Sequence, residues 1–356
     1  MQYGGAERVF EAIYGIFPEA DIFCPVADKR IVDRIDPVMK LTVSPFLSSK
    51  LNRSQYRALI PMYPAEVEKF DFSGYDLVIS DSSAWTKNII TPPGTVHVSY
   101  IYTPMRFAWS FFHRELEQRG NFTGFFLSWV LHFIRLWDTV GSSRVQYFLC
   151  DSRYVAKRIE KFYRRSAEVV YPFVDWEYFR PGNYKKNYFL LVSRFRPYKM
   201  VDLAIKAFNR TGDKLVIIGD GEKYAEYKAL ARNNIVIIRD VDDDHLREFY
   251  SQCRAFVFPQ EEDFGITPLE VQSCGRPVIA YNKGGARETV LDGKTGIFFD
   301  HQTVDSLCEA IERFKKIENT FDKHKIREHA GGFTKDRFIS EFRAKIDTIL
   351  RKEGKI

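Results

Sequence analysis

The chain has 356 residues, 45% of them hydrophobic and 28% charged, a length ordinary for two compact domains and a balance that excludes a disordered chain. The net charge of +6 comes without any Lys/Arg-rich tract, so anionic small substrates or a lipid surface suit it and nucleic acid does not. Five widely spaced cysteines with no C-x-x-C pair argue for reduced thiols in a cytoplasmic protein and against a disulfide framework or zinc site.

The chain opens "MQYGGAERVF", which has no apolar core of a signal peptide, and no later apolar run is long enough to span a bilayer. "GAERVFEAIYGIF" has helical periodicity. "ADIFCPV", "YDLVISD" and "VHVSYIY" then read as strands, as does "QYFLCDS", which is followed by the helix "YVAKRIEKFY". A Rossmann-like domain normally begins with a strand that feeds a glycine turn. Here the turn, Gly4-Gly5, has no strand ahead of it. Either the sheet lacks its first strand or this chain starts late relative to the functional protein, and the second reading is preferred.

Residues 121–140, "NFTGFFLSWVLHFIRLWDTV", are unusually apolar and follow the aromatic, charged "RFAWSFFHRELEQRG". A core helix pair is one reading. The other is a Phe/Trp face resting on a membrane beside basic residues, with His132, Arg135 and Asp138 making the stretch too polar to span. "AEVVYPFVDWEYFRPGNYKKN" (167–187) changes character and reads as a last strand followed by an interdomain connector.

From "YFLLVS" (188–193) onward, short continuous apolar strands alternate with amphipathic helices up to "TGIFF", the signature of a parallel sheet covered on both faces. The unusual residues follow the strands. Arg194, Arg196 and Lys199 come after the first, Gly219-Asp220-Gly221 after the second, and Arg239 and Asp240 after the third. Glu261 and Glu262 follow the fourth and Asn282–Gly285 the fifth. Ligands bind beyond the carboxyl ends of such strands, so these groups are expected in one crevice. Three cations where a helix opens make a diphosphate-sized anion site.

Other readings stay open for some of these residues. "TPLE" fits a capping box with Thr267 as N-cap and Glu270 at the third helical position. "GDG" with Asp240 is a partial dinucleotide fingerprint, though Tyr224 takes the third glycine position. Asp242–Asp244 reads as a helix N-terminal charge cluster rather than a metal site.

Together the motifs resemble the retaining glycosyltransferases of family 4, and most closely the bacterial and archaeal mannosyltransferases among them. An E-x7-E element stands at Glu262 and Glu270 within "EDFGITPLE". A strand-end arginine and a lysine stand at Arg194 and Lys199, a GG loop at Gly4-Gly5, and a late glycine loop in "NKGGARETV". The resemblance implies an α/β fold of two Rossmann-like, doubly wound domains facing a cleft, the GT-B type. Residues 1–172 would be the acceptor-side domain, 173–187 the linker and 188–330 the nucleotide-sugar domain, with 331–356 a helix crossing back.

The resemblance also implies roles. Arg194 and Lys199 would bind the donor diphosphate, Glu270 the ribose hydroxyls, and Glu262 the donor sugar as the catalytic carboxylate. The Phe264-Gly265-Ile266-Thr267 turn would offer backbone amides, and Gly5 would let the first domain approach the donor. Tyr102 would be a sugar contact in "YIYTPMR", where related enzymes often carry His. The implied reaction transfers a hexose, mannose from GDP-mannose first, to a glycan or polyprenyl-linked acceptor. It needs no cofactor and no metal. The protein would be cytoplasmic, with peripheral membrane contact through 105–140. A same-fold epimerase or hydrolase, an NAD-dependent oxidoreductase and a non-catalytic nucleotide-binding module are the alternatives.

Overall fold

Residues 4–50, 59–117, 121–182 and 184–356 are described by the computed structural model. The connector's Asn183 and residues 118–120 of the aromatic stretch lie outside the described residues. Two compact units form. Unit 1 is Met1–Tyr171 with Ile339–Ile356, and unit 2 is Pro172–Phe338.

Unit 2 is wound around six parallel strands: β7 (Phe189–Val192), β8 (Leu215–Ile218), β9 (Ile235–Ile238), β10 (Phe256–Phe258), β11 (Val278–Tyr281) and β12 (Gly296–Phe299). Their spatial order is β12-β11-β10-β7-β8-β9. The chain starts in the middle, winds out one way through β8 and β9, then returns to the other side for β10 to β12. The reversal falls between β7 and β10. The strands are apolar on both faces because helices cover both. Phe189, Leu191 and Val257 pack with Phe208 of the helix Val201–Thr211 and Phe314 of the helix Val304–Ile317. The connector residues are seated on this unit: the Trp176 indole donates to the Arg327 carbonyl at 3.1 Å, and the Arg327 guanidinium lies 3.9 Å over the Trp176 ring.

Unit 1 has the same winding with an interruption. Strands β1 (Ile22–Cys24) and β2 (Leu41–Val43) pair with each other. β3 (Leu77–Ser82), β4 (Val96–Ile101), β5 (Tyr147–Cys150) and β6 (Glu168–Val169) form a second parallel sheet in that order. β2 and the short helix Lys29–Ile35 were not expected from sequence, because neither is long enough to establish a period. The first helix, Gly5–Ile16, buries Val9, Ala12 and Ile13, and its Glu7 carboxylate accepts from the Gly4 amide at 3.0 Å. The last helix, Lys335–Lys352, begins in unit 2 and ends in unit 1. Its unit 1 portion places Phe342 against Tyr100, with ring centroids 5.9 Å apart.

The aromatic stretch is the helix Asn121–Ser142, which has one buried face and one exposed apolar face. Leu131, Ile134 and Asp138 are buried. Phe125, Phe126, Trp129, Phe133, Leu136 and Val140 are between 50% and 69% exposed. At 100° per residue these six fall on one stripe. The buried face is fixed by Asp138, which is fully buried and accepts from the Lys87 ammonium, from Trp109 Nε1 at 2.7 Å and from the Tyr163 hydroxyl at 2.7 Å. Among the described residues no helix is long and apolar enough to cross a membrane.

Candidate functional site

The carboxyl ends of β7 and β10, where the winding of unit 2 reverses, bring together the residues expected there. Such a switch point leaves a crevice because the two flanking loops depart in opposite directions. After β7 the chain passes through Arg194 into a single 3-10 turn, Pro197–Lys199. After β10 it passes through Glu261 and Glu262. The Lys199 ammonium forms an ion pair with the Glu262 carboxylate, and both side chains are largely buried. The sequence placed both in one crevice; it carried no sign that residues 63 apart would meet. The Arg194 side chain is exposed, and its guanidinium has no hydrogen-bond or ion-pair partner among the described residues. It is therefore a cation available to a ligand.

Two glycine pairs shape the loops. The Gly285 amide donates to the Glu262 carbonyl at 2.9 Å. A Cβ at Gly284 would come within 2.3 Å of that carbonyl oxygen, and one at Gly285 within 2.3 Å of the Phe264 Cα. The loop after β11 can thus lie directly on the turn carrying Glu262 only because it has no side chains there. Lys283 of the same loop pairs with Glu261 at 3.1 Å. Gly219 and Gly221 serve the other side. A Cβ at Gly219 would stand 1.9 Å from the Ser193 carbonyl oxygen, and the Phe195 amide donates to the Asp220 carbonyl at 2.8 Å. The "GDG" glycines let the loop after β8 support the one bearing Arg194. Asp220 itself is paired with Arg239 at 2.7 Å, which holds its carboxyl below the usual range.

The capping-box expectation at "TPLE" is corrected. The helix runs Ile266–Ser273, and its N-cap is Gly265, in a left-handed conformation at φ 87°. Thr267 and Glu270 are the second and fifth residues of the helix, two positions further along than a capping box requires. The Glu270 carboxylate instead accepts from the Tyr250 hydroxyl at 3.0 Å. Tyr250 is fully buried, and nothing in the sequence marked it. Phe264 is buried, with its ring 6.0 Å from that of Phe333, so only its main chain is available to a ligand. Ile266 and Thr267 lie in the first turn of the helix, where amides have no helical acceptor, and Pro268 has no amide. The turn therefore directs main-chain donors toward the strand ends. The acid run behaves as expected: Asp242 caps the helix Asp243–Gln252, accepting from the His245 amide at 2.8 Å.

Gly5 and Tyr102 lie in unit 1. The Tyr102 hydroxyl donates to the Ala6 carbonyl at 3.1 Å, so the two positions are neighbours. The phenol is pushed well above its usual range, first by burial and then by the adjacent Asp81 carboxyl. Burial raises Asp81 itself to about 7. His97, in β4, is buried with Nε2 2.9 Å from the Ser80 hydroxyl and faces no crevice. Among the described residues no three His, Cys, Asp or Glu side chains stand together as a metal-ligand group.

The family model described as glycosyl transferases group 1 matches residues 176–331, the segment that carries this whole arrangement. That segment is thus similar in sequence to group 1 glycosyltransferases. The chain spans about half the length of the curated relatives it matches. An uncharacterized glycosyltransferase of Methanocaldococcus jannaschii is 30% identical over 179 residues, 49% of this chain and 50% of the relative. The GDP-mannose-dependent α-(1-6)-phosphatidylinositol monomannoside mannosyltransferase of Mycolicibacterium smegmatis is 30% identical over 192 residues, 45% and 50% of the two chains. The α-1,3/1,6-mannosyltransferase ALG2 of Dictyostelium discoideum is 27% identical over 196 residues, 47% and 46%. Similarity in fold extends further. The Anabaena HepE structure in complex with UDP-glucose aligns over 98% of this chain and 97% of its own, with a TM-score of 0.70 at 14% identity. The matched segment thus lies in one of two Rossmann-like units of a GT-B fold.

Proposed function

We propose that the protein is a retaining, metal-independent glycosyltransferase that moves a hexose from a nucleotide-diphosphate sugar to a glycan or lipid-linked acceptor. GDP-mannose is the leading donor. The observation that carries this reading is the Lys199–Glu262 pair at the switch point of unit 2, with the exposed Arg194 on the same loop.

Breaking a sugar–phosphate bond leaves negative charge on the diphosphate and positive charge on the anomeric carbon. Arg194, Lys199 and the amides of the Gly265 turn meet the first charge. Preorganised donors of this kind lower such a barrier by several kcal/mol. Glu262 meets the second, by holding sugar hydroxyls and favouring an oxocarbenium-like state. An arriving diphosphate competes with Glu262 for the Lys199 ammonium, so donor binding frees the carboxylate for the sugar. Glu270, oriented by Tyr250, takes the ribose hydroxyls. The acceptor hydroxyl attacks from the leaving-group side, with a phosphate oxygen as its base. Charge supplied by Arg194 and Lys199 stands where a divalent cation would otherwise be needed.

Mannose is favoured because two of the matched relatives are named as mannosyltransferases, one of them GDP-mannose-dependent. A lipid-linked acceptor is favoured by the exposed stripe from Phe125 to Val140, which would rest on the bilayer that carries the acceptor.

The test has two parts. In a thermal-shift panel, GDP-mannose should raise the melting temperature more than UDP-sugars or NAD, because a ligand that binds only the folded state stabilises it. Glu262→Ala should lower turnover about 100- to 1000-fold, the usual effect of removing one electrostatic group from such a site, with nucleotide binding largely kept. Near-normal turnover in that variant removes Glu262 from the reaction.

A further inference from the structure

Behind the turn that carries Glu262, two lines of contact lead to one histidine of the helix Lys323–Ala330. We propose that His329 is a positioning residue that holds the loop after β11 down on the Glu262 turn, a role that rests on the reading of Glu262 as the carboxylate that meets the donor sugar.

The first line is made of hydrogen bonds. The Gly285 amide donates to the Glu262 carbonyl at 2.9 Å. Gly285 is also the N-cap of the four-residue helix Ala286–Thr289. Its own carbonyl accepts from the Thr289 amide at 3.2 Å and from the Thr289 hydroxyl at 3.3 Å. At the far end of that helix the Thr289 carbonyl is beyond the reach of the helix's own amides. It accepts from Gln272 Nε2 at 2.8 Å and from His329 Nε2 at 3.1 Å. A carbonyl oxygen only accepts, so Nε2 carries the imidazole proton. Burial holds the ring below its usual pKa, so the donor is neutral.

The second line is made of rings. His329 stands edge-on to Phe333, with centroids 5.7 Å apart, and Phe333 lies 6.0 Å from Phe264. Phe264 is two residues after Glu262. One side chain thus braces the Glu262 turn from both ends, through Thr289 and Gly285 on one side and through Phe333 and Phe264 on the other.

This bracing matters more to the site than to the fold. A helix of four residues has no stability of its own, so its seat is set by what grips its ends. The seat is close: a Cβ at Gly285 would stand 2.3 Å from the Phe264 Cα. A displacement of about 1 Å near reacting groups costs on the order of 100-fold in rate, whereas one neutral hydrogen bond adds little to folding. Loss of His329 is therefore expected in turnover rather than in melting temperature.

The experiment compares the parent protein with His329→Ala and His329→Gln, the second of which keeps an N–H donor near the place of Nε2. The first readout needs no substrate. Amide hydrogen exchange at Gly285 and Thr289 should be about 10-fold faster in His329→Ala and close to the parent rate in His329→Gln, with Phe195 of the loop after β7 unchanged. The second readout is GDP release from GDP-mannose with water as acceptor, or nucleotide release from whichever UDP-sugar raises the melting temperature instead. In His329→Ala, kcat should fall about 10-fold, while affinity for the free nucleotide stays the same because Arg194 and Lys199 lie on another loop. In a Glu262→Ala background, His329→Ala should lower turnover no further, because both changes act through one carboxylate.

Unchanged exchange at Gly285 in His329→Ala overturns the proposal, as does a full additional loss in the Glu262→Ala background. A His329→Gln protein as impaired as His329→Ala overturns the hydrogen bond to Thr289 as the means. Near-normal turnover in Glu262→Ala alone defeats the reading of the site, and the role of His329 falls with it even where exchange responds.

Discussion

The two units are wound alike, yet they are held together differently. Unit 2 is built around β7, with strands on either side and an aromatic core that includes Phe189, Phe208 and Phe314. Its Lys199–Glu262 pair sits at the strand ends, on loops that follow β7 and β10. In unit 1 a cavity of about 870 Å³ lies between β1 and β3, and the buried charge lies beneath a helix. Lys87 and Asp138 form a fully buried pair there. The difference teaches two ways of holding buried charge: in unit 1 it is closed off and saturated with donors, while in unit 2 it lies on the loop that carries an exposed arginine.

The largest expected effect tests whether the buried pair holds unit 1. Lys87→Ala leaves Asp138 buried with its main counter-charge gone, a change that typically costs about 3–5 kcal/mol. Calorimetry should show the transition of unit 1 falling while that of unit 2 stays in place. The double variant Lys87→Met with Asp138→Leu should lose less than Lys87→Ala alone, because no charge is left stranded. A loss shared equally by both transitions would mean that the units do not differ in this way.

A smaller effect concerns Asp81, which lines that cavity. Its carboxyl is raised from an ordinary value near 3.8 to about 7 by burial. The folded state therefore binds this proton more tightly than the unfolded state. The stabilisation is complete below about pH 4 and is lost as pH rises through 7. At pH 8 the folded protein holds a buried anion, so Asp81→Asn should stabilise unit 1 there, by about 2 kcal/mol. The gain should shrink to near zero by pH 4. Thermal melts of both proteins at the two pH values measure it, and a gain that does not depend on pH would show that the carboxyl is already solvated.

The smallest effect sharpens the role of unit 2. Glu270→Ala should weaken donor binding about 10-fold, or ~1.4 kcal/mol, with little change in melting temperature. Titration calorimetry with the nucleotide reads it directly. Unchanged affinity would leave the Tyr250–Glu270 hydrogen bond as a packing feature only.

The sequence was most informative where strands are buried on both faces. "YFLLVS", "KLVIIG" and "TGIFF" can hardly be anything else, and the motif residues followed from where those strands end. It was least informative between residues 29 and 67. The elements there, such as Leu41–Val43, are three to seven residues long, too short for a period to emerge. The capping box at Thr267 failed for a local reason: Gly265 can take a left-handed conformation, so the helix starts before the pattern that mimics a cap. Contacts between distant residues, Lys199 with Glu262 or Tyr250 with Glu270, were not legible, because periodicity describes a segment and not its neighbours.

The saturation of Asp138 has a consequence for the far side of its helix. Three donors from three different segments grip one carboxylate, so the helix Asn121–Ser142 is keyed against rolling about its own axis. Any sheet of lipid that accepts the outward rings of Phe126, Trp129 and Phe133 must then take unit 1 at a single tilt, as a ship takes its heading from a locked rudder.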